Sequence, residues 1–177
     1  KKFRGIAPNV NFYAAKVSSD DGVSDFNALV AGVLWAVVRQ VDIIVIALST
    51  SVDYPVFYNA IKKAYDENIC VVVAAENDKD APSYPAYYPE ALGFIVKPKN
   101  KNASDGLLDV HNNVIVQIPS NGIMTTCGKD QYIRVYGSSF AAAIGAGLLA
   151  CVIEQRGNKP RSPDELYKDI FALGRKS

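Results

Sequence analysis

The sequence predicts an α/β protein in which helices cover both faces of a parallel sheet. Two observations carry this. Short uninterrupted apolar runs at Ile43–Leu48 and Cys70–Ala75 suit strands buried on both faces. Segments with helical periodicity alternate with them, so that strand, helix, strand, helix and strand follow one another within about 65 residues.

The elements follow in order. Asn11–Val17 (N-F-Y-A-A-K-V) has the composition of a strand, and the polar loop S-S-D-D-G comes next. Ser24 offers an N-cap oxygen to a helix over 25–40, where Phe26, Leu29, Val30, Val33, Leu34, Val37 and Val38 recur at helical spacing. Pro55 suits the first turn of a second helix ending near Glu67, and Asn68 can adopt the left-handed conformation that closes it. The stretch from Lys79 to Asn113, rich in Pro, Tyr, Asn and Lys, reads mainly as loop with a short strand near 92–96. Strands are expected at 114–118 and 131–135. Gly137 introduces an apolar helix, Ser139–Gln155, almost free of charge before Glu154 and therefore expected to be buried nearly all round; Gly157 ends it. Ser162-Pro163-Asp164-Glu165 is a capping box for a last amphipathic helix ending near Leu173. No repeat or linker divides the chain, so residues 1–177 are expected to form one domain.

With 177 residues, 49% of them hydrophobic and 21% charged, the chain can build a sizeable core. A net charge of +1 without a Lys/Arg run argues against nucleic acid or a membrane surface as the main partner. No run reaches the ~18 consecutive apolar residues of a membrane span. Cys70 and Cys151 sit in apolar runs and are expected to be buried thiols; with Cys127 they show no metal-ligand spacing, and the compartment is left open.

In parallel sheets functional groups gather beyond the carboxyl ends of the strands, here Ser49-Thr50 and Glu76-Asn77-Asp78. The segment G-S-S-F-A-A-A-I-G-A-G, Gly137–Gly147, places a serine at the start of an apolar helix. A hydroxyl there can attack a carbonyl while free N–H groups and the helix dipole receive the oxyanion. The plainer alternative is that Ser139 is only an N-cap.

The segment resembles the nucleophile motif G-T-S-[MF]-A-x-P of the subtilisin-like serine peptidases, with Ser138 on the threonine and Ser139 on the attacking serine. Other segments resemble the family in its order. Gly5–Pro8 and F-Y-A-A-K-V are similar to G-V-A-P…Y-A-V-K-V, and Trp35–Ser49 to W-A…D-V-I-N-M-S-L-G. Asn68–Asn77 is similar to G-V-V-V-V-A-A-A-G-N, and Tyr84–Pro89 to Y-P-G-x-Y-P. The resemblance implies a three-layer subtilisin-like domain incomplete at its N-terminus, with Ser139 as nucleophile and Asn77 as oxyanion-hole donor. It implies that Leu48, Ser49, Thr50, Ala75 and Glu76 contact a peptide or protein substrate, with Ser49-Thr50 laid beside it as in β-strand addition. It also implies a cis Tyr84-Pro85 bond. Calcium is a family ligand with no donors placed here, and no other cofactor is expected.

The family's H-G-T-x-V-A-G histidine precedes G-V-A-P and its aspartate lies earlier still, so both are expected on an upstream segment. The sole histidine, His111, reads as a surface loop residue. Glu76 replaces the glycine before the oxyanion asparagine, which lines the family's primary specificity pocket. Ser49-Thr50, Ala47, Ala86, Tyr136 and Ala143 are further departures from the pattern. They favour the rival implication, an inactive pseudopeptidase that binds peptides or a partner protein; a dinucleotide-binding domain is remote, since no G-x-G-x-x-G follows the first strand.

Overall fold

A computed structural model describes residues 4–76, 82–97, 107–110, 113–119, 121–128, 131–157 and 162–174. The elements are α1 (Phe26–Val38), β1 (Ile43–Ile46), α2 (Pro55–Asp66), β2 (Cys70–Ala74), β3 (Ala91–Lys97), β4 (Leu107–Val110), β5 (Asn113–Pro119), β6 (Ile123–Thr126), β7 (Tyr132–Val135), α3 (Ser138–Arg156) and α4 (Pro163–Gly174). The main sheet has the order β1-β2-β3-β5-β4. Pairing is parallel from β1 to β5, in register Ile43–Cys70, Val71–Ala91 and Gly93–Ile115, whereas β4 pairs antiparallel with β5.

The sheet carries a helical layer on each face. On one, Val33 and Val37 of α1 and Phe57, Ile61 and Ala64 of α2 pack with Ile44, Ile46, Val71, Val73 and Ile115. On the other, Ala141, Ala142, Leu149 and Val152 of α3 and Leu166, Tyr167 and Ile170 of α4 pack with Cys70, Val72, Leu92, Phe94 and Val116. Residues of β2 thus alternate between two cores, which is why its sequence is apolar throughout. The Tyr167 hydroxyl stitches α4 to the sheet, accepting from the Val71 N–H at 3.0 Å and donating to the Glu90 carbonyl at 3.1 Å.

Close approach of α3 to the sheet depends on Gly145. A Cβ there would lie 2.3 Å from Cζ of Phe94, a ring with no exposed surface. Gly145→Ala is therefore expected to destabilise the fold by roughly 1–3 kcal/mol despite alanine's better helix propensity. Chemical denaturation of the variant beside the parent chain measures this.

Several expectations change. Asn11–Val17 forms no strand and lies outside both sheets. Ala15 and Val17 rest on Gly32 of α1, while Ile6 rests on Gly147 of α3, so the segment crosses from one helical layer to the other. Phe12 is 85% exposed. Asp25, not Ser24, caps α1, accepting from the Ala28 N–H at 2.9 Å; Ser24 is bonded across the preceding loop to Ser18. α3 is not buried nearly all round. Its long apolar run meets the length and composition of a membrane-crossing helix, yet only one face lies against the sheet and α4, and Ala143 is exposed. For the same reason Cys151 is only half-buried, its Sγ facing the Ile6 carbonyl at 3.8 Å, whereas Cys70 is fully buried and its thiol pushed up to about 12 by that burial. The strand expected at 131–135 is present as β7, paired with β6 in a ribbon separate from the main sheet.

Candidate functional site

The segments after β1 and β2 and the amino end of α3 are joined by hydrogen bonds at one edge of the sheet, the candidate cleft. Gly137, at φ 140°, turns the chain into α3 in a conformation that side-chain-bearing residues rarely adopt. Gly137 occupies the N-cap position, and Ser139 does not cap the helix. The Ser139 hydroxyl reaches instead across 92 positions of sequence to donate to the Ala47 carbonyl at 3.0 Å, just past β1. A partly buried hydroxyl therefore stands in the first turn of α3, where backbone N–H groups lack intrahelical partners and the dipole is positive.

The residues after β2 close the opposite wall. The Ala75 N–H donates to the Phe94 carbonyl at 3.0 Å, and the Glu76 N–H to the hydroxyl of buried Ser83 at 2.9 Å. The Glu76 carboxylate accepts from the Ser49 hydroxyl at 2.6 Å, linking the segment after β2 to the segment after β1. Thr50 and Tyr84 exchange both backbone hydrogen bonds, at 2.9 and 2.8 Å, and the Tyr84-Pro85 bond is cis. Leu48 packs on the α1/α2 core.

The geometry brings together Ser139, Leu48, Ser49, Thr50, Ala75 and Glu76 from the sequence reading. Asn77 and His111 lie outside the described residues, as does Lys79. Sequence reasoning did not single out Ser83, whose only signal is its place before Tyr84-Pro85. Among the described residues no group of three or more His, Cys, Asp or Glu side chains gathers that could hold a metal ion.

The family model described as the subtilase family matches residues 1–170. This chain belongs to the subtilase family. The minor extracellular protease Epr of Bacillus subtilis (strain 168) is 28% identical over 176 residues, which cover 96% of this chain and 27% of Epr. Subtilisin DY of Bacillus licheniformis is 30% identical over 156 residues, covering 85% of this chain and 57% of that protein. This subtilase chain thus spans about a quarter to somewhat over half the length of these relatives. Among solved structures, Sphericase superposes with a TM-score of 0.76 at 21% identity over 92% of this chain and 60% of that one. A cold adapted subtilisin-like serine proteinase gives 0.75 at 21% identity over 93% and 60%. The likeness in fold confirms the subtilisin-like architecture with its parallel sheet and flanking helices.

Proposed function

We propose that this subtilase chain is the segment of a serine endopeptidase that carries the nucleophile, Ser139, and the oxyanion asparagine, Asn77. A histidine and an aspartate would come from an upstream segment. The observation that carries the reading is the Ser139 hydroxyl at the start of α3, turned toward the end of β1 and beside the Ser49–Glu76 wall.

In this reading the base takes the Ser139 Oγ proton as Oγ bonds to the substrate carbonyl carbon. The oxyanion meets the Asn77 amide and backbone N–H groups at the start of α3. As the C–N bond breaks, the base returns its proton to the departing amine, and water then hydrolyses the acyl-enzyme by the same route. Thr50 spends its backbone N–H and C=O on Tyr84, so the edge left for a peptide is that of Ser49, whose groups point the other way in an extended chain.

An upstream partner segment also suits the sheet. β1 is an edge strand made of Ile and Val, and its Val45 is 46% exposed, an apolar edge that proteins ordinarily cover. A pseudopeptidase reading is favoured by the bond between Ser49 and Glu76, which ties together the two walls between which a substrate would lie.

A fluorophosphonate probe separates these readings. Labelling at Ser139 is expected when a segment supplying the histidine and aspartate is present and to be near background in the isolated chain, because a serine hydroxyl without a base is a poor nucleophile. Strong labelling of the isolated chain would contradict the need for a partner. Absence of labelling in the complete protein would establish the pseudopeptidase.

A further inference from the structure

Beside the cleft, on the far side of the Thr50–Tyr84 pairing, lies a cavity of about 510 Å³ whose lining includes Asp53, Pro55, Tyr58, Tyr84, Tyr87 and Tyr88. Its tyrosine rings form a connected set: Tyr84 stands 5.8 Å from Tyr87 and 5.2 Å from Tyr88, and Tyr58 stands 5.1 Å from Tyr88. One carboxylate, that of Asp53, belongs to this aromatic wall, and a second, that of Glu90, lies outside the lining and is bonded to Tyr58. The Tyr88 hydroxyl donates to Asp53 Oδ1 at 2.7 Å, which fixes the carboxylate of an otherwise exposed residue at the rim. The Tyr58 hydroxyl donates to Glu90 Oε1 at 3.1 Å, and the other oxygen of Glu90 is buried with no partner among the described residues. Lys62, one turn along α2 from Tyr58, is bonded to Asp66 at 2.8 Å and does not line the cavity.

Ring faces, a negative charge at the rim and a concave wall are the elements that receive a cation: the ring quadrupole attracts it and the Asp53 carboxylate pairs with it. We infer that the Tyr58–Tyr84–Tyr88 cavity with Asp53 is a binding site for a basic side chain, lysine or arginine, of a peptide held in the adjoining cleft. The inference rests on the reading of the cleft as a peptide site, but not on any chemistry at Ser139. Tyr84 is the shared wall, since its backbone is bonded to Thr50 at the cleft and its ring faces the cavity. An apolar side chain would leave the Asp53 carboxylate uncompensated, so the site discriminates by charge.

The test uses alanine hexapeptides carrying one lysine, moved through the six positions, against counterparts with norleucine, which keeps the aliphatic stem and loses the charge. Binding to the 177-residue chain is followed by amide NMR shifts. In at least one register the lysine peptide should bind about tenfold more tightly than its norleucine partner, with shifts at Asp53, Tyr58 and Tyr88. Asp53→Asn keeps an acceptor for the Tyr88 hydroxyl and should remove the preference in that register. Equal binding of the two peptide sets, or a lysine preference that survives Asp53→Asn in the register that shifts Asp53, Tyr58 and Tyr88, would overturn the inference and leave the cleft reading standing. Binding of neither set would overturn both.

Discussion

Replacing Ser139 by alanine in the complete protein is expected to lower kcat about a million-fold, the loss that follows when the nucleophile of a catalytic triad is removed. Fold stability should change little, because the substitution deletes one hydroxyl of a partly buried residue and one hydrogen bond, to the Ala47 carbonyl. Steady-state hydrolysis of a peptide amide, paired with thermal denaturation of the same sample, checks both halves. Turnover that persists in Ser139→Ala would move the nucleophile elsewhere. A parent protein with no measurable turnover would favour a module that binds without cutting.

Glu76 should govern which side chain enters the pocket before the scissile bond. Its carboxylate stands at the end of β2, held by Ser49, in the position where the family pattern has glycine. A lysine or arginine side chain compensates that charge, and a large apolar one does not. The complete protein is expected to prefer a basic or small residue there. Glu76→Gly should shift kcat/KM by about ten- to a hundredfold toward Phe or Leu, the scale on which single pocket groups discriminate. A peptide-library cleavage profile measures the shift; a preference for Phe or Leu in the parent, unchanged in Glu76→Gly, would refute the role given to this carboxylate. The Ser49 bond tempers the effect in one direction only, since it occupies Oε1 while leaving the charge in place.

The layers of the fold were legible where burial dominates. Cys70–Ala74 is apolar at every position because each face of the sheet has its own helical cover there, and Pro55 and Asn68 bracket α2 by backbone conformations open to inspection in the sequence. Legibility fails where an element depends on a distant partner. N-F-Y-A-A-K-V has the composition of a strand, but a strand exists only through pairing, and this segment pairs with neither sheet. Leu107–Val110, hidden among Asn, Asp and Lys, becomes β4 only because β5 lies alongside it. The composition of α3 announced burial without saying that only one face would be covered. Of the candidate site, Ser139 and the strand ends stand out in the sequence because local motifs carry them. Asp53 and the tyrosine cavity do not, because their meaning arises from α2 meeting the Tyr84–Tyr88 turn across about 30 residues of sequence.

The bond from Ser139 to Ala47 also sets a resting state for the hydroxyl. While Oγ–H points at that carbonyl it cannot donate to a base, so the reactive orientation must be drawn from a minor population. A hydrogen bond worth about 0.5–1.5 kcal/mol leaves that population at roughly a tenth to a third of molecules. In the proposed enzyme, an imidazole from an upstream segment that out-competes the carbonyl would do two things at once: act as the base and rotate the serine into use, so that the gain on assembly would exceed what basicity alone provides.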